Sequence, residues 1–187
     1  MSVLAIDTSS RSRVVVAVAS PDGTQIQGVA MRGESVGTMM PRAISPMLPL
    51  LNHAVVVVTG PGTYTGVRAG MAGALGIAQA RDLPLYGLGA LEVVACSPAP
   101  GGDVDSWVVA DAGRGALYVA RRGDAANPRR VMAADFDGGD AQVSSTEPLA
   151  IEGLVVLDPV RALAAAVALA LSRPPLDREG LTALYVD

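Results

Sequence analysis

Two short segments hold residue types whose spacing could do chemistry. The first is Gly60-Pro61-Gly62-Thr63-Tyr64-Thr65-Gly66-Val67-Arg68, which follows the run Val55-Val56-Val57-Val58. Glycines there permit a tight turn, and the N–H groups at a helix start can cradle an anion, so a phosphate loop is one reading. A Walker A loop needs a lysine to reach the phosphates and a fixed glycine spacing. The chain lacks that lysine and that spacing, and only Arg68 could substitute as a cation. A structural turn, with Thr63 or Thr65 as N-cap, is the plainer reading. The second segment is Asp7-Thr8-Ser9-Ser10, after the apolar run Val3-Leu4-Ala5-Ile6. Its aspartate could hold a metal–nucleotide with the hydroxyls on phosphate, a vestigial nucleotide site at Asp7, Thr8 and Ser9. A side-chain-capped hairpin turn is the favoured alternative. Asp111 and Arg114 read in the same way, as a turn whose charges pair locally.

The rest of the inventory is poor in catalytic groups. One histidine, His53, and one cysteine, Cys96, leave few ways to assemble a metal site or a Ser/His/Asp device, and no Gly-x-Ser-x-Gly elbow is present. His53 reads as a cap or surface residue and Cys96 as packing on an apolar helix, so no metal and no cofactor is expected. All 14 basic residues are arginine and the net charge is -4, which gives no broad attraction for phosphate backbones. Any RNA should be held by a partner. The apolar run at 160–171 is too short for a bilayer and the N-terminus lacks a signal-peptide pattern, so a cytoplasmic, membrane-free protein is expected.

These segments need elements to position them. Strands are predicted at 3–6, 13–19 and 25–31, a meander with Pro21-Asp22-Gly23 as one turn. Met39, Met40, Ile44, Met47, Leu48 and Leu51 predict a helix over 38–52, although Pro46 and Pro49 work against its regularity. A strand at 55–58 buried on both faces, a helix at 65–80, a strand at 85–88 and a helix at 89–96 follow. Residues 97–105 read as a linker. Beyond it, a strand at 107–110, an Asp-led turn and a strand at 116–121 echo the opening pattern, which predicts a second lobe of similar topology. The boundary is placed between lobes 1–98 and 99–187. Nothing is assigned over 122–145; a strand at 154–157 and a helix at 160–172 complete the reading.

The helix at 65–80 carries Gly66, Gly70, Gly73 and Gly76 among alanines. Each interior glycine costs about 1 kcal/mol relative to alanine. Close approach by another backbone would offset that, either inside the fold or across a subunit boundary, and both readings stay open. The subunit reading predicts that leucine at Gly70 or Gly73 blocks association while leaving the lobe folded.

In order and wording these pieces resemble the TsaB (YeaZ) family. Leu4-Ala5-Ile6-Asp7-Thr8-Ser9, the Gly60–Arg68 motif, the Gly/Ala helix, Leu83-Pro84-Leu85-Tyr86-Gly87 and Leu91-Glu92 fall where that family has them, with Thr63-Tyr64 in place of its usual Ser-Phe. The likeness is strong over roughly the first 120 residues and weak afterwards. It implies an α/β actin-like, sugar-kinase-like ATPase fold of two ribonuclease H-like lobes, the second reduced. It also implies a non-catalytic scaffold for threonylcarbamoyl transfer to tRNA, dimerising with itself or with a TsaD-type catalytic subunit and recruiting a TsaE-type ATPase. Carried onto this chain, the partner interface would use Met40, Ala43, Met47, Thr65, Gly66, Arg68, Gly70, Gly73 and Ile77. An autonomous phosphotransferase or ATPase using Asp7, Thr8 and Arg68 is the alternative; a metal-free peptidase finds little support in these residues.

Overall fold

The computed structural model describes residues 1–97 and 104–177. Strands β1 (Val3–Asp7), β2 (Arg13–Ala19) and β3 (Gln25–Arg32) form an antiparallel meander. Strands β4 (Ala54–Gly60) and β5 (Leu85–Gly89) add in parallel on the far side of β1, giving the order β3-β2-β1-β4-β5. The second sheet repeats this plan with β6 (Trp107–Gly113), β7 (Ala116–Arg121), β8 (Arg129–Met132), β9 (Val143–Ser145) and β10 (Val155–Val156). Its order is β8-β7-β6-β9-β10, again antiparallel through the meander and parallel beyond it. The topology is ribonuclease H-like twice over, an actin-like α/β fold, and it extends the echo read between 107–121 and the opening strands. The expected lobe boundary at 98/99, most of the expected linker and the apolar residues 184–186 lie outside the described residues.

The helices are unequally shared. The first lobe has α1 (Val36–Ile44) between β3 and β4, α2 (Tyr64–Arg81) between β4 and β5, and α3 (Ala90–Cys96) after β5. After β10, α4 (Pro159–Ala165) and α5 (Val167–Leu171) return to the first sheet, α4 against β1 to β3 and α5 against β5. The helix predicted over 38–52 starts earlier and ends at Ile44, where Ser45–Leu50 tightens into a 3-10 helix. Pro46 and Pro49 explain that break, because neither can donate the next helical hydrogen bond. The single helix expected over 160–172 is interrupted at Ala166.

Alternation along the strands divides the core in two. Val3, Ala5, Val56 and Val58 face a cluster with Leu91, Val94, Leu163 and Val167, which also takes Val108 and Ala120 from the second sheet. Leu4, Ile6, Val55 and Val57 face the opposite cluster, where Met39, Met47, Val67 and Met71 come from the α1 and α2 side. The first sheet is therefore covered on both faces, as the valine run at 55–58 predicts. A third cluster around Trp107, Val109 and Leu117 fills the other face of the second sheet.

Buried polar groups tie the layers together. Glu92, 7% exposed, accepts the Gly89 N–H at 2.8 Å and pairs with Arg173, whose Nη1 lies 3.1 Å away. Burial alone would raise the Glu92 pKa, but the Arg173 hydrogen bond, the Gly89 N–H and the Arg173 charge outweigh it and hold the group below its ordinary value of 4.5. A carboxylate depressed in the folded state contributes stability above the unfolded pKa, and this is lost as pH falls through the folded value. Glu92→Gln should therefore flatten the acid limb of stability below pH 4.5. Urea midpoints measured against pH check this; identical slopes for the two proteins would contradict it.

Candidate functional site

The site is organised by the loop that ends β1. Asp7 Oδ1 accepts the Ser9 N–H at 2.9 Å and the Ser9 hydroxyl at 2.6 Å, which is the capped turn favoured from sequence. Thr8 is 1% exposed and its Oγ1 donates to the Gly66 carbonyl at 2.7 Å, while the Ser9 carbonyl accepts the Thr63 N–H at 2.8 Å. The loop thus holds the first turns of α2 by a side chain and by backbone. Contact this close requires glycine on the helix. A Cβ at Gly66 would stand 2.1 Å from the Thr8 carbonyl oxygen, one at Gly70 2.1 Å from Thr8 Oγ1, and one at Gly62 2.5 Å from the Ser9 carbonyl oxygen.

These distances decide between the two readings of the Gly/Ala helix, glycine by glycine. Gly66 and Gly70 serve an approach within the chain, so leucine at Gly70 should disturb the lobe itself, where the subunit reading expects it to stay folded. Gly73 faces Met40, whose Cε would lie 2.8 Å from an added Cβ and can swing away. Gly76 has nothing within 4 Å. Of the residues named for a partner interface, Ala43, Met47, Gly66 and Gly70 are buried inside the chain; Met40, Gly73 and Ile77 are half-buried, and Thr65 and Arg68 are exposed. Arg68 stacks over the Tyr64 ring at 4.1 Å. Thr63 takes the N-cap position of α2, but its side chain makes no cap hydrogen bond.

The second lobe mirrors the turn. Asp111 Oδ1 accepts the Gly113 N–H at 2.8 Å. The expected local pairing of Asp111 with Arg114 does not form; Asp111 instead faces Arg11 of the first lobe, with 3.9 Å between Nε and Oδ2. The hairpin holds Arg114 at φ 54, which turns it out of the strand ladder, whereas Arg11 reaches across from the β1–β2 turn. Further ties cross between the lobes. Ser10 bonds Glu147, and buried Arg13 donates to the Thr146 carbonyl and, at 3.0 Å, to its hydroxyl. Arg122 spans from β7 to the end of α3, donating to the Ala95 and Ser97 carbonyls at 2.7 and 2.9 Å. Between the two turns and the start of α2 lies a cleft of about 410 Å³ lined by Arg11, Thr63, Thr65, Asp111, Arg114 and Arg130. Sequence reasoning missed Arg11 and Arg130, because only the fold brings them beside Thr63.

The remaining candidates take no part in this site. His53 is half-buried, and its backbone N–H bonds the Ser2 carbonyl at 3.0 Å. Cys96 is half-buried on α3; burial first, then the Glu92 charge, push its thiol up and away from the reactive thiolate form.

The clasp between Thr8 and α2 gives a contrast among glycines on one helix. Gly66→Ala and Gly70→Ala should each destabilise by about 1–3 kcal/mol through overpacking. Gly76→Ala, on an exposed stretch with open space, should stabilise by roughly 0.5–1 kcal/mol. Urea unfolding of the isolated chain measures all three, and equal effects would remove the clasp.

Comparison with known proteins adds to this geometry. Residues 51–138 match the family model described as TsaD, tRNA N6-adenosine threonylcarbamoyltransferase. Uncharacterized proteins of Mycobacterium tuberculosis and Mycobacterium bovis are each 38% identical over 115 residues, covering 58% of this chain and 52% of theirs. One from Mycobacterium leprae is 33% identical over 138 residues, covering 71% of this chain and 37% of its own. The chain thus spans about half or less of the length of the curated relatives it matches. Among solved structures, YeaZ from Pseudomonas aeruginosa superposes with TM-score 0.70 at 20% identity, covering 99% of both chains. A second structure, described as an uncharacterized protein with similarity to peptidase YeaZ from Pseudomonas aeruginosa, gives 0.70 at 16% identity, covering 100% of this chain and 99% of that one. The chain has the fold of the YeaZ, or TsaB, proteins, the likeness that its own motifs carry.

Proposed function

We propose that the chain is a non-catalytic scaffold subunit in threonylcarbamoyl transfer to the anticodon-loop adenosine of tRNA. In this reading it pairs with a TsaD-type catalytic subunit, recruits a TsaE-type ATPase, and forms a homodimer when alone. The observation that carries it is the joint one of a YeaZ fold along the chain and a TsaD-family match over 51–138.

The geometry supports action through contacts. Asp7, Thr8 and Ser9, the residues of the vestigial nucleotide site, spend their hydrogen bonds on their own turn and on α2. Arg68 is exposed and stacked on Tyr64. The outward strip of α2, from Thr65 and Arg68 through Ala72 and Gly76, with Met40 of α1 beside Gly73, offers small residues on which another helix could lie closely. With a net charge of -4 the chain is a poor tRNA binder by itself, so tRNA would reach it through the catalytic partner. Among the described residues no helix is long and apolar enough to cross a membrane, and a cytoplasmic location fits this role.

Reconstitution tests the proposal. Purified TsaD-type and TsaE-type proteins from the same genome, given tRNA, ATP and a pre-formed threonylcarbamoyl adenylate as the activated donor, should modify tRNA only when this chain is added. Ala72→Arg, on the exposed strip, should abolish that gain while its unfolding free energy stays within about 0.5 kcal/mol of the parent. Modification that proceeds equally without the chain, or robust ATP turnover by the chain alone, would overturn it.

A further inference from the structure

We infer that the interlobe cleft at the N-terminal end of α2 receives an acidic side chain of the protein partner. The inference rests on the partner reading above and names the chemistry of one contact.

The cleft holds more positive charge than the chain itself answers. Arg11, Arg114 and Arg130 line it against one carboxylate, Asp111, which Arg11 meets only at 3.9 Å. Among the described residues the Arg114 and Arg130 side chains make no hydrogen bond or ion pair. Arg114 is also placed against its backbone preference. It sits at φ 54 between Gly113 at φ 71 and Gly115 at φ 74, in a hairpin turn that glycine or asparagine would favour. The third contribution comes from α2. This 18-residue helix has no acidic residue in its first turn and no side-chain cap, and Thr63, Tyr64 and Thr65 at its start line the same cleft. The positive end of the helix thus adds to the arginines.

A protein carboxylate is the anion this arrangement fits. A polynucleotide is disfavoured by the net charge of -4, and a free phosphate dianion would sit against the Asp111 carboxylate inside the cavity. A single carboxylate meets less repulsion there, and an arginine can hold it by two parallel hydrogen bonds. Position points the same way. The cleft opens where Tyr64, Thr65 and Arg68 begin the exposed strip of α2, so a protein laid along that helix arrives at the arginines. The remaining rim residues, Gly62 and Ala112, place no further charge in its way.

The test titrates the TsaD-type protein of the same genome against the full chain at low and high salt. Arg114→Gly, which suits the positive φ, and Arg130→Gln should each weaken binding roughly tenfold, and the double variant should flatten the salt dependence. Arg161→Gln, on the exposed side of α4, should bind as the parent does. Arg114→Gly should melt no lower than the parent, which separates lost contact from lost fold. Parent-like affinity and salt slope in both arginine variants would overturn this inference and leave the proposed function standing. Absence of any binding by the parent chain would overturn both. Saturable binding of inorganic pyrophosphate that Arg114→Gly removes, with partner affinity unchanged, would also overturn it, by making the cleft a site for a free anion.

Discussion

The contact on which the rest of the molecule depends is the one between Thr8 and the first two turns of α2. It is made of one hydrogen bond, from Thr8 Oγ1 to the Gly66 carbonyl, and of two positions on the helix where a Cβ would collide. Through it the loop after the central strand β1 sets the height and angle of α2. The same helix then covers one face of the first sheet and presents its other side outward. A buried polar side chain that finds its partner this way contributes modestly in net terms but is costly to leave unpaired. That asymmetry explains why glycines that weaken a helix in isolation strengthen this fold.

Duplication of the strand plan has had unequal consequences. In the first lobe, helices cover both faces of the sheet, and its central strands are buried from end to end. The second lobe keeps the strand order but has no α-helix between β8 and β10 among the described residues. Its outer cluster is closed by loops and by long side chains: Phe136 meets Trp107 edge-on, and Arg121 lies 3.9 Å above the Trp107 ring. The lobes share α3 and the α4 region as a common layer, and Arg122 fastens β7 to the end of α3. Arg13 with Thr146 and Ser10 with Glu147 hold the lobes together beside the Asp7 turn.

Much of this can be read in the sequence where the physics is local. The valine run at β4, the meander of β1 to β3 and the Gly/Ala helix follow from burial period and turn residues, and the Asp-led turns follow from side-chain capping. What escapes is set by tertiary neighbours. Helical glycines announce a close approach without naming what approaches, so Thr8 could not be identified as the partner of Gly66 and Gly70. β9 is Val-Ser-Ser with both serines fully buried, and β8 opens with two exposed arginines, so neither carries an apolar signature. Arg130 belongs to no motif; it reaches the cleft only because β8 pairs with β7 and places Arg130 opposite Tyr118.

The loop after β1 is a clasp for α2, and the proposed function has that helix serve as a docking element. Unfolding of Thr8→Val beside the parent, each with and without saturating Mg-ATP, tests that claim directly. A loss of about 0.5–1.5 kcal/mol is expected from the missing Thr8 hydroxyl hydrogen bond, the Gly66 carbonyl keeping its helical partner, with no effect of nucleotide on either protein. A variant as stable as its parent, together with a parent that nucleotide stabilises, would contradict it.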